Sequence, residues 1–149
     1  MALILVIDDQ KSIRSLIAMV LKDSGHEVEL AEDGQRGIEL LKGLREFGLV
    51  ITDINMPNKD GNEVARYIRT SQRSSIPVIA VTAFPEEAQT ELFDYAITKP
   101  FMLKSLRETV ARFTGDSLQK GIARRGVSVL EKESHSEFST HTEVERSLK

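Results

Sequence analysis

The chain has 149 residues, 40% hydrophobic and 29% charged, enough for one ordinary domain with its own core and too few for two comfortable ones. A formal net charge of −3 argues against a broad phosphate-binding surface, so direct DNA binding is not expected. The absence of cysteine excludes disulfide frameworks, Cys-ligated zinc and thiol chemistry, and suits a cytoplasmic setting.

The opening MALILVIDD has no basic region, and two aspartates end its apolar run, so it reads as a first strand rather than a signal peptide. No apolar stretch approaches the roughly 18–20 residues of a membrane span. From residue 2 to about residue 114, short apolar runs alternate with helix-period segments, the pattern of βα units building a parallel sheet. The strands are expected at Leu3 to Ile7, Glu27 to Ala31, Leu49 to Thr52, Pro77 to Val81 and Tyr95 to Thr98. Ile13, Leu16, Ile17, Val20 and Leu21 form a full helical stripe closed by Gly25. Ile38, Leu41 and Leu44 suggest a second helix, and Val64, Ala65 and Ile68 a third. Leu103, Leu106, Val110 and Phe113 suggest a last one that Gly115 can terminate.

LILVI, LVIT and VIAV are continuous apolar runs, as strands covered on both faces are, whereas EVELA alternates and belongs at an edge. The expected architecture is a three-layer α/β, doubly wound (βα)5 flavodoxin-like fold with parallel strand order 2-1-3-4-5. In that order, ligands bind outside the carboxyl ends of the strands, where the winding reverses between the first and third. Residues 1–115 form the expected domain. Residues 116–149 are polar, rich in Ser and Glu, and read as a flexible or partly helical tail, with a marginal helix at 117–125 and no separate output domain.

Polar residues fall at successive strand ends: Asp8 and Asp9 after the first, Asp53 after the third, Thr82 at the fourth and Lys99 after the fifth. One Asp at a strand end is ordinarily a cap or turn residue; five such residues on one edge of a sheet call for another explanation. Two carboxylates about 4 Å apart repel by about 4 kcal/mol at an effective dielectric near 20, so positive charge must sit among them. A hard divalent cation suits an all-oxygen site, and Lys99 supplies a second, fixed charge.

The acidic pair at 8 and 9, DINMPNKDG from Asp53 to Gly61, VTA at 81–83 and KPF at 99–101 closely resemble the response-regulator receiver family of two-component signalling. The resemblance spans residues 2 to about 114. It implies that Asp53 is the nucleophile, taking a phosphoryl group from a phosphohistidine on a sensor histidine kinase or histidine phosphotransfer protein. It also implies Mg²⁺ bound directly by Asp9 and Asp53, by Asp8 mostly through water, and by the Asn55 backbone carbonyl. Lys99 and the Thr82 hydroxyl would bind phosphoryl oxygens, Ala83 would leave room for the donor, and a cis Lys99–Pro100 bond would aim the ammonium into the site. Such a protein is a phosphoacceptor rather than a turnover enzyme. As a stand-alone receiver it would signal through protein contacts, with no membrane association, as a monomer or weak homodimer.

Two departures stand out. Receivers usually carry an aromatic residue three positions before the lysine, where this chain has Ala96; Tyr95, one residue earlier, points to the opposite face of a strand. The stretch from Thr82 to Lys99 is also short, so the fourth helix of the (βα)5 pattern is expected to be shortened or remodelled, with Pro85 starting what remains. These departures keep open a non-switching interaction module. An Asp-nucleophile phosphatase is disfavoured because Asn55 replaces the second acid of its DxD pair. His26, His135 and His141 show no metal-ligand spacing and are expected at the surface, while Arg124 and Arg125 read as a solvated charge pair.

Overall fold

A computed structural model describes residues 1–115. The tail at 116–149, including the marginal helix, His135, His141, Arg124 and Arg125, lies outside the described residues. In chain order the elements are β1 (Leu3–Ile7), α1 (Lys11–Asp23), β2 (Glu27–Ala31), α2 (Gly34–Leu41), β3 (Leu49–Thr52), α3 (Gly61–Arg69) and β4 (Val78–Thr82). Two short 3-10 turns, Pro85–Glu87 and Thr90–Leu92, then lead into β5 (Tyr95–Thr98) and α4 (Leu103–Thr114).

The five strands form one parallel sheet in the order β2-β1-β3-β4-β5, with β1 placed between β2 and β3. Because strand side chains alternate between faces, each interior strand supplies both layers of core. Leu5, Ile7, Val50, Val78 and Ala80 pack under α2 and α3, and Ile4, Val6, Ile51, Ile79 and Val81 pack against α1 and α4. Tyr95 joins the second layer and Ala96 the first, so the two do face opposite ways. The expected sheet order and the edge position of β2 both hold. Among the described residues, no helix is long and apolar enough to cross a membrane.

Glycines stop the first and last helices as their sequence positions suggest. Gly25 has φ 92°, and Gly115 caps α4 in the left-handed conformation with φ 72°, which a Cβ would disfavour.

Two expectations fail. The second helix ends at Leu41 rather than reaching Leu44, which is 97% exposed. Lys42 and Gly43 close the helix with a turn, and Arg73 donates to the carbonyls of Gly43 and Arg45, turning the chain outward. Phe47 fills the core instead. His26 is buried rather than exposed, and its Nδ1 accepts a hydrogen bond from the Ala2 backbone N–H at 3.0 Å.

The fourth helix of the (βα)5 pattern is absent: the two 3-10 turns carry the chain from β4 to β5, the first with Pro85 at its start. Ala88 and Phe93 from this segment cover the core face beside α3 that a helix would otherwise shield.

Candidate functional site

The carboxyl ends of β1, β3, β4 and β5 bring Asp8, Asp9, Asp53, Thr82 and Lys99 to one cleft edge, as their sequence positions predict. One oxygen each from Asp8, Asp9 and Asp53 lie within 4.8 Å of one another. Asp8 is 1% and Asp53 7% exposed, whereas Asp9 is open to solvent. The Lys99 ammonium donates to Asp8 Oδ2 and to Asp53 Oδ2, each at 2.9 Å. It makes a longer contact of 3.4 Å with Gln10 Oε1. The Lys99–Pro100 peptide bond is cis.

Both Asp53 oxygens have partners: Oδ1 accepts from the Ile54 N–H at 2.6 Å, and Oδ2 takes the ammonium. The Asp8 Oδ1 accepts from the Gln10 N–H at 2.9 Å, and the Asp8 carbonyl accepts from Arg14 at 2.8 Å. Thr82 is buried, and its Oγ1 accepts from the Phe84 N–H at 3.1 Å. Asn55, Ala83 and Phe84 border the same cleft, which encloses about 250 Å³.

The electrostatics of this group are unbalanced. Burial pushes the Asp8 carboxyl above its ordinary pKa, against the lowering effect of Lys99 and the Gln10 N–H. Burial alone would lower the Lys99 pKa, but its bonds to Asp8 and Asp53 outweigh that and raise it. The two directions agree once the ammonium is seen as shared: Lys99 has more than its own charge in partners, while Asp8 is left under-compensated. Three carboxylates with only oxygen donors therefore fit a hard divalent cation.

The loop after Asp53 is shaped from both ends. The Gly61 N–H donates to the Ile54 carbonyl at 2.9 Å, and a Cβ at Gly61 would overlap the Asp53 carbonyl oxygen. A capping box between Asp60 and Glu63 then starts α3. Midway, Asn58 and Lys59 have positive φ of 52° and 87°. Asp33 caps α2 through the Arg36 N–H at 2.8 Å and accepts from Asn58 Nδ2 at 3.1 Å, tying the loop to that helix. The Arg36 N–H and then Asn58 hold the Asp33 carboxyl below its ordinary pKa.

Sequence reading overlooked Gln10, which sits between Asp8 and Lys99. The available signal was its place immediately after the acidic pair. It also overlooked Asn62, a buried polar residue in the first turn of α3.

Comparison with known proteins agrees with this geometry. The family model for the response regulator receiver domain matches residues 4–111. A response regulator of Streptococcus pneumoniae is 39% identical over 119 residues, covering 74% of this chain and 54% of the relative. The transcriptional regulatory protein ResD of Bacillus subtilis is 40% identical over 116 residues, covering 73% of this chain and 45% of that protein. The chain thus spans about half the length of these curated relatives. Among solved structures, the chemotaxis response regulator CheY4 of Vibrio cholerae superposes with a TM-score of 0.70 at 32% identity, covering 76% of this chain and 98% of that one. The response regulator TrrA of Thermotoga maritima, solved in complex with Mg²⁺ and BeF, gives 0.68 at 32% identity, covering 76% and 99%. With the sheet order, the clustered carboxylates and the family match in agreement, the chain belongs to the response regulator receiver domain family of two-component signalling.

Proposed function

We propose that the chain is a cytoplasmic phosphoacceptor that takes a phosphoryl group onto an Asp53 carboxylate oxygen, from a phosphohistidine of a sensor kinase or phosphotransfer protein, in a Mg²⁺-dependent reaction. The observation that carries this reading is the buried Asp53 carboxylate, with Lys99 at 2.9 Å and oxygens of Asp8 and Asp9 within 4.8 Å. In the transfer, the P–N bond to the donor imidazole breaks, a P–O bond to Asp53 forms, and the imidazole nitrogen regains a proton. Carboxylate nucleophiles of this kind are a recognised class.

Phosphoryl transfer depends on positioning and on neutralising charge spread over the phosphoryl oxygens. The Ile54 N–H and Lys99 fix the orientation of the Asp53 carboxylate. Lys99 would follow the transferred group, and the Thr82 hydroxyl would donate to it while still accepting from Phe84. Ala83 leaves the cleft open to the donor. Mg²⁺ held by Asp8, Asp9, Asp53 and the Asn55 carbonyl would supply the positive charge that Lys99 alone does not. The phosphorylated form would then be read by a protein partner or passed on in a phosphorelay.

The test is incubation with Mg²⁺ and a small acyl phosphate, followed by intact mass measurement. One added phosphoryl group is expected on the parent and none on Asp53→Asn; no adduct with any donor would refute the reading. A second reading, a module that binds partners regardless of phosphorylation, draws on Ala96 and the 3-10 turns that replace a helix. It predicts the same adduct with unchanged amide exchange across residues 83–98.

A further inference from the structure

Between β4 and β5 the chain has no full helix, yet it is firmly fastened. Asn62, in the first turn of α3 and 8% exposed, donates from Nδ2 to the Glu87 carbonyl at 2.9 Å and accepts at Oδ1 from the Gln89 N–H at 2.8 Å. Its amide pairs with the backbone of the segment much as a neighbouring strand would. Further along the same helix, Arg66 donates to Gln89 Oε1 at 2.6 Å, and Arg69 donates to the Leu92 carbonyl at 3.0 Å and to Asp94 at 2.8 Å. The near end of the segment is tied to the site itself by the bond from the Phe84 N–H to Thr82 Oγ1.

The helix turn that carries Asn62 also touches the opposite wall of the cleft. Gly61, its neighbour, lies against the Asp53 carbonyl and bonds to the Ile54 carbonyl. One turn of α3 therefore reaches Asp53 through Gly61, and through Asn62 the Glu87–Gln89 stretch, whose Glu87 N–H bonds to the Phe84 carbonyl at 2.9 Å and so joins it to the Thr82–Phe84 wall. Burying an amide is unfavourable unless both ends are bonded, and here both are. A Leu would fill a similar volume but leave the Glu87 carbonyl and the Gln89 N–H without this partner, so the amide fixes the backbone of the segment as well as packing against it.

We propose that Asn62 is a positioning residue for phosphoryl transfer, holding the Thr82–Phe84 wall at a set separation from Asp53 in place of the helix this chain lacks. This rests on the reading of Asp53 as the phosphoacceptor. Misplacement of a reacting group by about 1 Å costs on the order of 100-fold in rate. Arg66 and Arg69 remain when Asn62 is lost, so a smaller effect, about tenfold, is expected.

Two variants approach the clamp from opposite sides. Asn62→Leu removes the amide. Gln89→Pro removes the N–H that Asn62 accepts, together with the side-chain oxygen that Arg66 bonds, at a residue whose φ of −81° already suits proline and follows extended Ala88. The measurements are the maximal rate of Asp53 phosphorylation by a small acyl phosphate and the Mg²⁺ affinity by calorimetry. Asn62→Leu is expected to lower the maximal rate about tenfold and Gln89→Pro at least as much, with Mg²⁺ affinity unchanged in both and the double variant no slower than Gln89→Pro alone. Parent-like rates, strictly additive losses, or Mg²⁺ affinity falling with rate would overturn the proposal. If Asn62→Leu does not fold, Gln89→Pro compared with Gln89→Ala, which loses only the Arg66 contact, decides. A parent protein that forms no Asp53 adduct overturns the phosphoacceptor reading and this inference together; a normal parent adduct with unaffected variants overturns the inference alone.

Discussion

Replacing Lys99 by Met keeps the length of the side chain and removes the ammonium shared by Asp8 and Asp53. Each ion pair is 2.9 Å long, and at an effective dielectric near 20 the attraction is about 6 kcal/mol per carboxylate. Most of it offsets the desolvation of the three charged groups. What the protein loses is therefore closer to the cost of leaving buried charge unpaired, about 3–5 kcal/mol. A loss in that range is expected at neutral pH. Mg²⁺ and Lys99 draw on the same carboxylate oxygens. Removing the ammonium should therefore tighten Mg²⁺ binding even as phosphorylation fails. Urea unfolding with and without Mg²⁺ measures both effects. Metal at roughly a hundred times its Kd stabilises the parent by about 2.7 kcal/mol, and the variant should gain more. A metal-free variant as stable as the parent, or equal stabilisation of both by Mg²⁺, would refute the reasoning.

Gly61→Ala would drive a Cβ into the Asp53 carbonyl. A loss of about 1–3 kcal/mol in thermal unfolding is expected, with slower formation of the Asp53 adduct; full stability and rate would contradict the close approach. The Asp33 carboxyl, held below its unfolded value of 3.8, contributes stability that is present above that value and lost as pH falls through the lower folded pKa. Asp33→Asn removes that increment but keeps a capping side chain. The two proteins should converge in stability as the pH falls through that range, and a gap that persists in strong acid would rule out the carboxylate as its source.

The sheet was legible because a parallel strand covered on both faces leaves a mark in the sequence that an edge strand does not. Leu49–Thr52 and Glu27–Ala31 differ in that way, and their places in the sheet follow. The acidic and basic residues of the cleft were legible for a related reason: each lies where an apolar run stops. Leu44 misled because a helical stripe continues by period past the point where Lys42 and Gly43 end the hydrogen bonding. Polar partnerships have no period at all. His26 depends on a backbone N–H 24 residues away, and Asn62 on partners 25 and 27 residues away. Gln10 meets Lys99 across 89 residues. Such pairings emerge only when the chain is folded.

Lys99 lies 91 residues beyond Asp8 and 46 beyond Asp53. The residues through β4 supply the three acids but not the Lys99 ammonium that meets two of them, so the last strand must dock before the notch is complete. Contacts this distant in sequence form late, after the loop entropy has been spent. The charge balance of the cleft thereby becomes a property of the folded domain as a whole rather than of any one βα unit.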